Sequence, residues 1–437
     1  MSFMNRKCKE FKIDDAWDFK LKAWNWSQQF KYSCILENKG IKYPNDPFIN
    51  MLAVGAKEIL KPTGNDSFEC LKNFYREHQD WMLGYLSYDL KNQIEALNSN
   101  NPDYQQTEEI LFFVPEILLF FKDSSVIIYS FSDPDVYFEE INRFTSFALS
   151  DNKARVSFLS TIDKNKYLET IGKIKEHLLE GDIYEINYCI EFAGKSFEIS
   201  PLNSFYRLIN NSPMPFSFYL RSGDQYIICS SPERFLKMKG ERLVSQPIKG
   251  TIKRGETDAE DEALINHLKS SEKEIAENMM IVDIVRNDLA KSSVPGSITV
   301  EEMFEIYSFK QLHQMISTIS SQKRPEVHFI DTIKNAFPMG SMTGAPKIRA
   351  MEIIEQYETS KRGAFSGAGG YFTPEGDFDL NVIIRSIFYN SNTGKLSFQV
   401  GSAITFDADP EYEYQECLLK AKAIFEILDS NFQEFKN

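Results

Sequence analysis

The sequence predicts an α+β fold built on antiparallel sheets, and three observations carry that prediction. Strand-like and helix-like stretches come in blocks, not in strict alternation, which argues against a doubly wound parallel sheet. Of 437 residues, 42% are hydrophobic and 26% charged, enough for one large core or two smaller ones. Glycines crowd the later strand-like segments, "KRGAFSGAGGYF" and "FQVGSAITF", where they permit close approach of backbone by a ligand or by another strand.

The elements follow in order. "WMLGYLSYDL" (81–90) is aromatic and strand-like, and "ALNSNNPDYQQTEE" (96–109) is the most loop-like stretch of the first third. "ILFFVPEILLFF" and "SSVIIYSF" then read as strands with buried faces. Polar residues around 150–160 set a soft boundary near residue 155, giving an N-terminal part (1–155) and a second part (156–437). "KNKYLETIGKIKEHLLEG" has apolar residues at helical spacing and Gly181 as its stop. Strands in "IYEINYCIEF", "PFSFYLRSGDQYIICSS" and "RLVSQPIKGT" precede a long helical region, 258–291. "APKIRAMEIIEQYE" is a helix, three strands span 363–406, and a last helix starts at Pro410.

Composition removes several classes of function. A net charge of −14 leaves no basic surface for a phosphate backbone, so nucleic acid is not an expected partner. The N-terminus lacks an apolar signal core and no apolar run nears the roughly 20 residues that span a bilayer, so no membrane association and a cytoplasmic location are expected. Six scattered cysteines show no CxxC pair and are expected to be reduced and mostly buried. None of the five histidines pairs with another at helical metal-ligand spacing, so any metal falls to carboxylates, favouring magnesium over zinc.

Chemistry-bearing residues recur in the second part. Glu274 and Glu277 lie three apart on a helix whose apolar residues (Ile275, Met279, Val282, Val285, Leu289) occupy other positions. In the last helix Asp409 can cap, and Glu413, Glu416 and Lys420 stack along one side. Each pair alone suits a solvated helix face, whereas four carboxylates converging from two helices would make a magnesium site. Gly340, Ser341, Thr343 and Gly344 precede the helix at Pro346, where free N–H groups can hold an anion; a plain loop-to-helix turn would look the same. Arg385 stands on an otherwise apolar strand, suited equally to a structural carboxylate and to a ligand. Lys249 sits in a short Pro-Ile-Lys-Gly-Thr turn, where a solvated surface lysine is the plain alternative.

Nine strings occur in a fixed order: "GDIYEINYC", "SSPERFL", "PIKGT", "ENMMIVDIVRNDLAK", "SFKQLHQMISTI", "GSMTGAPKIRAMEII", "RGAFSGAGGYF", "DLNVIIRS" and "EYEYQECLLKAKAI". Together they resemble the chorismate-utilising enzymes, which include anthranilate, aminodeoxychorismate, isochorismate and salicylate synthases. The resemblance covers roughly residues 160–430, and "WMLGYLSYDL" and "FVPE" extend it weakly toward the N-terminus. It implies two stacked antiparallel sheets with helices outside and the active site in a cleft between the sheets. It also implies Mg2+ on Glu277 and Glu416, with Glu274 and Glu413 as further ligands directly or through water, and chorismate carboxylates held by Thr343, Arg385, Gly401 and Lys420.

Glu233 matches the family's proposed general acid, which would need a raised pKa to act near neutrality. Lys249 matches the nucleophile proposed for the aminodeoxychorismate branch; anthranilate synthases carry alanine there. Such a lysine needs a depressed pKa, from desolvation or nearby positive charge. The resemblance thus implies amination of chorismate, with ammonia from a separate glutamine amidotransferase subunit. The alternatives are anthranilate synthesis and a non-catalytic tryptophan-binding subunit, the latter because the N-terminal part of some relatives binds tryptophan, although "SCILENKG" (33–40) matches the family's feedback-inhibition element poorly. Three positions depart from the pattern: Glu185, where isochorismate and salicylate synthases place lysine and amino-transferring members usually glutamine; Gln314, in place of a histidine, beside His313; and Phe365, in place of a tyrosine.

Overall fold

Alternation along the strands decides the architecture. In strand Tyr32–Glu37, Cys34 and Leu36 enter one buried apolar cluster and Ile35 enters another; in Phe216–Ser222, Phe218 and Leu220 take the first and Tyr219 the second. Successive side chains point to opposite faces, so this sheet is buried on both. The computed structural model describes residues 6–62, 66–146, 156–428 and 430–432. Among them a thirteen-stranded sheet stacks on a ten-stranded one. The first cluster fills the space between the two sheets, and the second lies between the larger sheet and helices that include Lys164–Glu180 and Pro410–Ile427. Pairing is antiparallel apart from the parallel contact of Asn431–Phe432 with Ser157–Ser160. The predicted α+β class with stacked antiparallel sheets and outer helices is therefore the observed one.

The chain weaves between the sheets. Tyr32–Glu37 pairs with Phe216–Ser222 in the larger sheet, and Met82–Leu86 pairs with Ala368–Phe372 in the smaller. The boundary expected near residue 155 falls outside the described residues, and strands from either side of it share both sheets.

Several expected elements end differently, each for a local reason. The stretch 81–90 is a strand only over Met82–Leu86; Ser87 then caps a 3-10 turn, Tyr88–Gln93, by accepting the Asp89 N–H at 3.2 Å. The helical region 258–291 is two helices, Asp258–Ser270 and Glu272–Ala290, because Ser271 leaves helical geometry and its hydroxyl caps the second. Met279 is exposed at 45%, and Ile281 takes the buried place beside Val282, Val285 and Leu289. The glycine-rich region holds four strands, Ala368–Phe372, Phe378–Val382, Ser386–Asn390 and Lys395–Thr405. Gly181 ends its helix at φ +80° and Asp409 accepts the Tyr412 N–H at 2.8 Å, both as expected. No helix of the described residues is long and apolar enough to cross a membrane.

Candidate active site

Strand Glu185–Lys195 brings the first side chain to the cleft. Ile186, Tyr188, Ile190 and Phe192 face the outer helices, so Glu185, Asn187, Cys189 and Glu191 face the smaller sheet. From that sheet comes Lys249, on strand Ile248–Lys253 and not in a turn. Its pairing with Leu312–Gln322 shifts register between Ile248 and Thr251, and Gly250 takes φ +94°, the geometry of a bulge that re-aims a side chain. The Lys249 ammonium donates to Glu185 Oε1, both groups buried, so one ion pair crosses the gap between the sheets.

This contact reverses one expectation. Burial pushes the Lys249 pKa down, but the carboxylates of Glu185, Glu277 and Glu233 outweigh it and the net direction is up. The desolvation sought from the sequence is present; the neighbours are anions where cations were needed.

Glu233 and Arg385 sit on two adjacent crossovers between the sheets. Glu233 links Gln225–Ser231 to Arg234–Lys239, and Arg385 links Phe378–Val382 to Ser386–Asn390, so Arg385 lies off the strand expected for it. The Val382 N–H donates to the Glu233 carbonyl at 3.0 Å and the Ser230 N–H to the Arg385 carbonyl at 3.2 Å, which locks the crossovers together. Arg385 adopts φ +50°, an uncommon conformation for a residue with a Cβ. Its guanidinium meets Met214 Sδ at 3.6 Å and pairs with no carboxylate among the described residues; burial pulls its pKa down to about 10. Glu233 is buried, accepts from Ser341 Oγ at 2.6 Å, and has its pKa pushed up to about 7, chiefly by burial. A small cavity of about 20 Å³, room for a single water, lies beside Glu233 and Ser341, walled by Pro247, Val285 and Asp288.

The segment before helix Lys347–Tyr357 differs from the expected anion-binding terminus. Gly340–Met342 is a 3-10 turn, and the N–H groups of Met342 and Thr343 donate to Met339 and Gly340. Gly344–Ala345 pairs with Glu185–Ile186, where a Cβ on Gly344 would overlap the Glu185 carbonyl oxygen. Backbone donors that looked free are used inside the fold. Thr343 is fully buried; its hydroxyl donates to its own turn and its carbonyl accepts the Asn187 N–H at 2.8 Å. Gly401 is needed for the close approach of Cys189, and its carbonyl accepts from Lys420 Nζ at 2.8 Å; the same ammonium meets Glu416 Oε1 at 2.6 Å.

Helices Glu272–Ala290 and Pro410–Ile427 bring Glu274, Glu277, Glu413 and Glu416 around Lys273, with Lys249 acting on Glu274 and Glu277 and Lys420 on Glu413 and Glu416 from either side. The Lys273 Nζ is 3.9 Å from Glu277 Oε1 and 3.9 Å from Glu413 Oε1, with Glu274 and Glu416 acting on it from further away. No three of the four offer oxygens within 4.8 Å of one another, so they converge without forming a closed ligand cage. Burial raises the pKa of Glu274, of Glu413 and of Glu277, the last to about 7. Glu277 Oε1 is buried with no hydrogen-bond partner. An orphaned carboxylate oxygen among further carboxylates fits a hard divalent cation. His177, Glu180 and Asp182 do gather at ligand spacing, but Asp182 is already bound to Arg349 at 2.8 Å and to His177 at 2.8 Å.

The departures separate into two kinds. Phe365 is buried in the inter-sheet core, and His313, the neighbour of the departing Gln314, is structural, bonded at 2.8 Å to both Asp261 and Ser308. Gln314 leaves Oε1 buried without a partner, as Glu185 leaves Oε2. Lys273 was missed by sequence reasoning. Its signal was a lysine in the first turn of a helix, where the dipole disfavours it.

Residues 37–426 match the family model for chorismate binding enzymes. A probable chloroplastic aminodeoxychorismate synthase of Oryza sativa is 40% identical over 295 residues, 67% of this chain and 33% of that protein, so the chain spans a third of its length. Aminodeoxychorismate synthase component 1 of Bacillus subtilis is 32% identical over 378 residues, 83% of this chain and 80% of that one. Anthranilate synthase component 1 of Lactococcus lactis is 30% identical over 409 residues, covering 89% and 87%. Among solved structures, anthranilate synthase component I of Streptococcus pneumoniae superposes with a TM-score of 0.75 at 24% identity, covering 89% of this chain and 94% of that one, a likeness of fold.

Proposed function

The chain belongs to the chorismate binding enzyme family, and from that premise we propose that it aminates chorismate at C4, giving 4-amino-4-deoxychorismate on a route to 4-aminobenzoate and folate. The observation that carries this reading is Lys249, buried between the sheets, in contact with Glu185 and facing Glu233. Glu233, with a pKa near 7, protonates the departing 4-hydroxyl. Lys249 bonds to C2 as the C4–O bond breaks and water leaves, both ring double bonds shifting; ammonia then bonds to C4, both double bonds shift back, and the C2–N bond to Lys249 breaks. The ammonium must first lose a proton, and Glu185 Oε1 is the carboxylate oxygen in contact to receive it.

Arg385, paired with no carboxylate among the described residues, is free to grip a substrate carboxylate, and Lys420 and Gly401 would serve as further contacts, as would Thr343 once its hydroxyl leaves the Met339 and Gly340 carbonyls. Glu277 and Glu416, with Glu274 and Glu413, would hold magnesium. Magnesium in that place would neutralise the carboxylate on the substrate ring. Ammonia comes from a separate glutamine amidotransferase subunit or from free ammonium at high pH.

Anthranilate synthesis is the second reading, favoured by the Lactococcus relative. A tryptophan-binding module is disfavoured by Glu37 in the 33–40 segment, buried and engaged by Lys20 at 2.7 Å. The deciding experiment is mass analysis of the product from purified protein, chorismate, magnesium and excess ammonium at alkaline pH, beside Lys249→Ala. An aminated product retaining the enolpyruvyl group, lost or greatly slowed in the variant, supports the proposal. Anthranilate with released pyruvate overturns it in favour of the second reading.

A further inference from the structure

Lys273 sits where helix physics disfavours a cation. It is the second residue of helix Glu272–Ala290, after the Ser271 cap, at the positive end of the helix dipole. With Glu277 it forms a lysine-first i,i+4 pair, the weaker of the two orientations. Helix stability does not account for a lysine there. The carboxylates do, since its Nζ stands 3.9 Å from Glu277 Oε1 and from Glu413 Oε1, one on each helix.

Both distances exceed a hydrogen bond, so the ammonium balances charge without saturating either oxygen. Glu277 Oε1 stays without a hydrogen-bond partner. Exposure divides the group further: the Lys273 side chain is 48% exposed, against 8% for Glu277 and 2% for Glu413. Rotation about its four-carbon stem carries the ammonium into water, whereas the two carboxylates stay where their helices put them.

We propose that Lys273 is a built-in counter-cation for the Glu277 and Glu413 carboxylates, turned out to solvent when a divalent cation takes their charge. The inference rests on the metal reading of the four glutamates. Lys273 then positions nothing on the substrate; it holds an acidic pocket together and yields it. Metal affinity is weakened by the work of evicting it, which keeps binding reversible and sensitive to ionic strength.

The test is calorimetric titration of the EDTA-stripped full chain with magnesium alone, at alkaline pH where the carboxylates are ionised, for the unaltered protein, Lys273→Met and Lys273→Arg. Lys273→Met should bind magnesium roughly tenfold more tightly at low salt, with the gain shrinking as salt rises. It should also melt at lower temperature in EDTA, because only Lys249 and Lys420 then offset the repulsion among the glutamates. Lys273→Arg should keep the affinity of the unaltered protein. Equal or weaker binding by Lys273→Met overturns the counter-cation alone. Saturable binding by neither protein overturns the metal reading and this inference with it.

Discussion

Two groups of buried charges lie within a few residues of each other, and they are built on opposite rules. In the frame, Arg362 is 1% exposed and spends its guanidinium fully, on Glu358 at 2.6 and 3.0 Å, the Met342 carbonyl at 2.6 Å and the Asn187 carbonyl at 2.8 Å. Arg234 and Asp379, both fully buried, are likewise joined by two bonds, at 2.8 and 3.0 Å. In the cleft, Glu185 Oε2, Glu277 Oε1 and Gln314 Oε1 are buried with no partner, and Arg385 has no carboxylate among the described residues. Satisfied charges rigidify; unsatisfied ones cost stability unless something else completes them. Under the proposed function, the first group holds the site in shape and the second meets what enters it.

The largest expected effect breaks the cleft side. Glu277→Gln should abolish magnesium-dependent turnover of chorismate while leaving the urea unfolding midpoint unchanged or higher, since a buried carboxylate with a raised pKa has been removed. Product analysis beside an unfolding curve checks both halves, and a variant active without metal would sink the assignment.

Next comes the frame. Arg362→Met leaves Glu358 buried and unpaired and should cost about 3–5 kcal/mol of stability by urea unfolding. A loss below about 1 kcal/mol would erase the distinction between the two groups.

The smallest effect sharpens the cleft side through pH. If Glu233 must be protonated to act, the rate at saturating free ammonia falls as pH rises through about 7. The Ser341 hydrogen bond lowers that pKa, so Ser341→Ala should move the falling limb upward by less than about one pH unit. The sign in stability is the same: Glu233 is held above its ordinary 4.5, so its contribution is present below that value and lost as pH rises through 7. A limb that stays in place or moves down would exclude Glu233 as its origin.

Local chemistry made the elements legible in the sequence. Helical spacing with Gly181 and Asp409 at the ends, and alternation in "IYEINYCIEF", were enough to place those elements. The convergence of Glu274 and Glu277 with Glu413 and Glu416 was not legible from spacing, because residues more than a hundred positions apart meet only through the sheets. The resemblance supplied it. What stayed hidden depends on neighbours of neighbours: a strand bulge looked like a turn around Lys249, and the sign of its pKa shift turned on Glu185 arriving from the other sheet. The free N–H groups expected near Thr343 vanished for a similar reason, since an isolated loop cannot show that its backbone is drawn onto the distant strand Glu185–Lys195.

The woven sheets also set a timetable for synthesis. Strand Met82–Leu86 emerges early, yet its neighbour Ala368–Phe372 is made only after most of the remaining chain. At about 5–20 residues per second, the early strand waits on the order of tens of seconds with an apolar edge unpaired. Edges in that condition invite pairing with other nascent chains. For this protein, yield in a foreign host should therefore depend on what shields the first hundred residues while the ribosome is still at work.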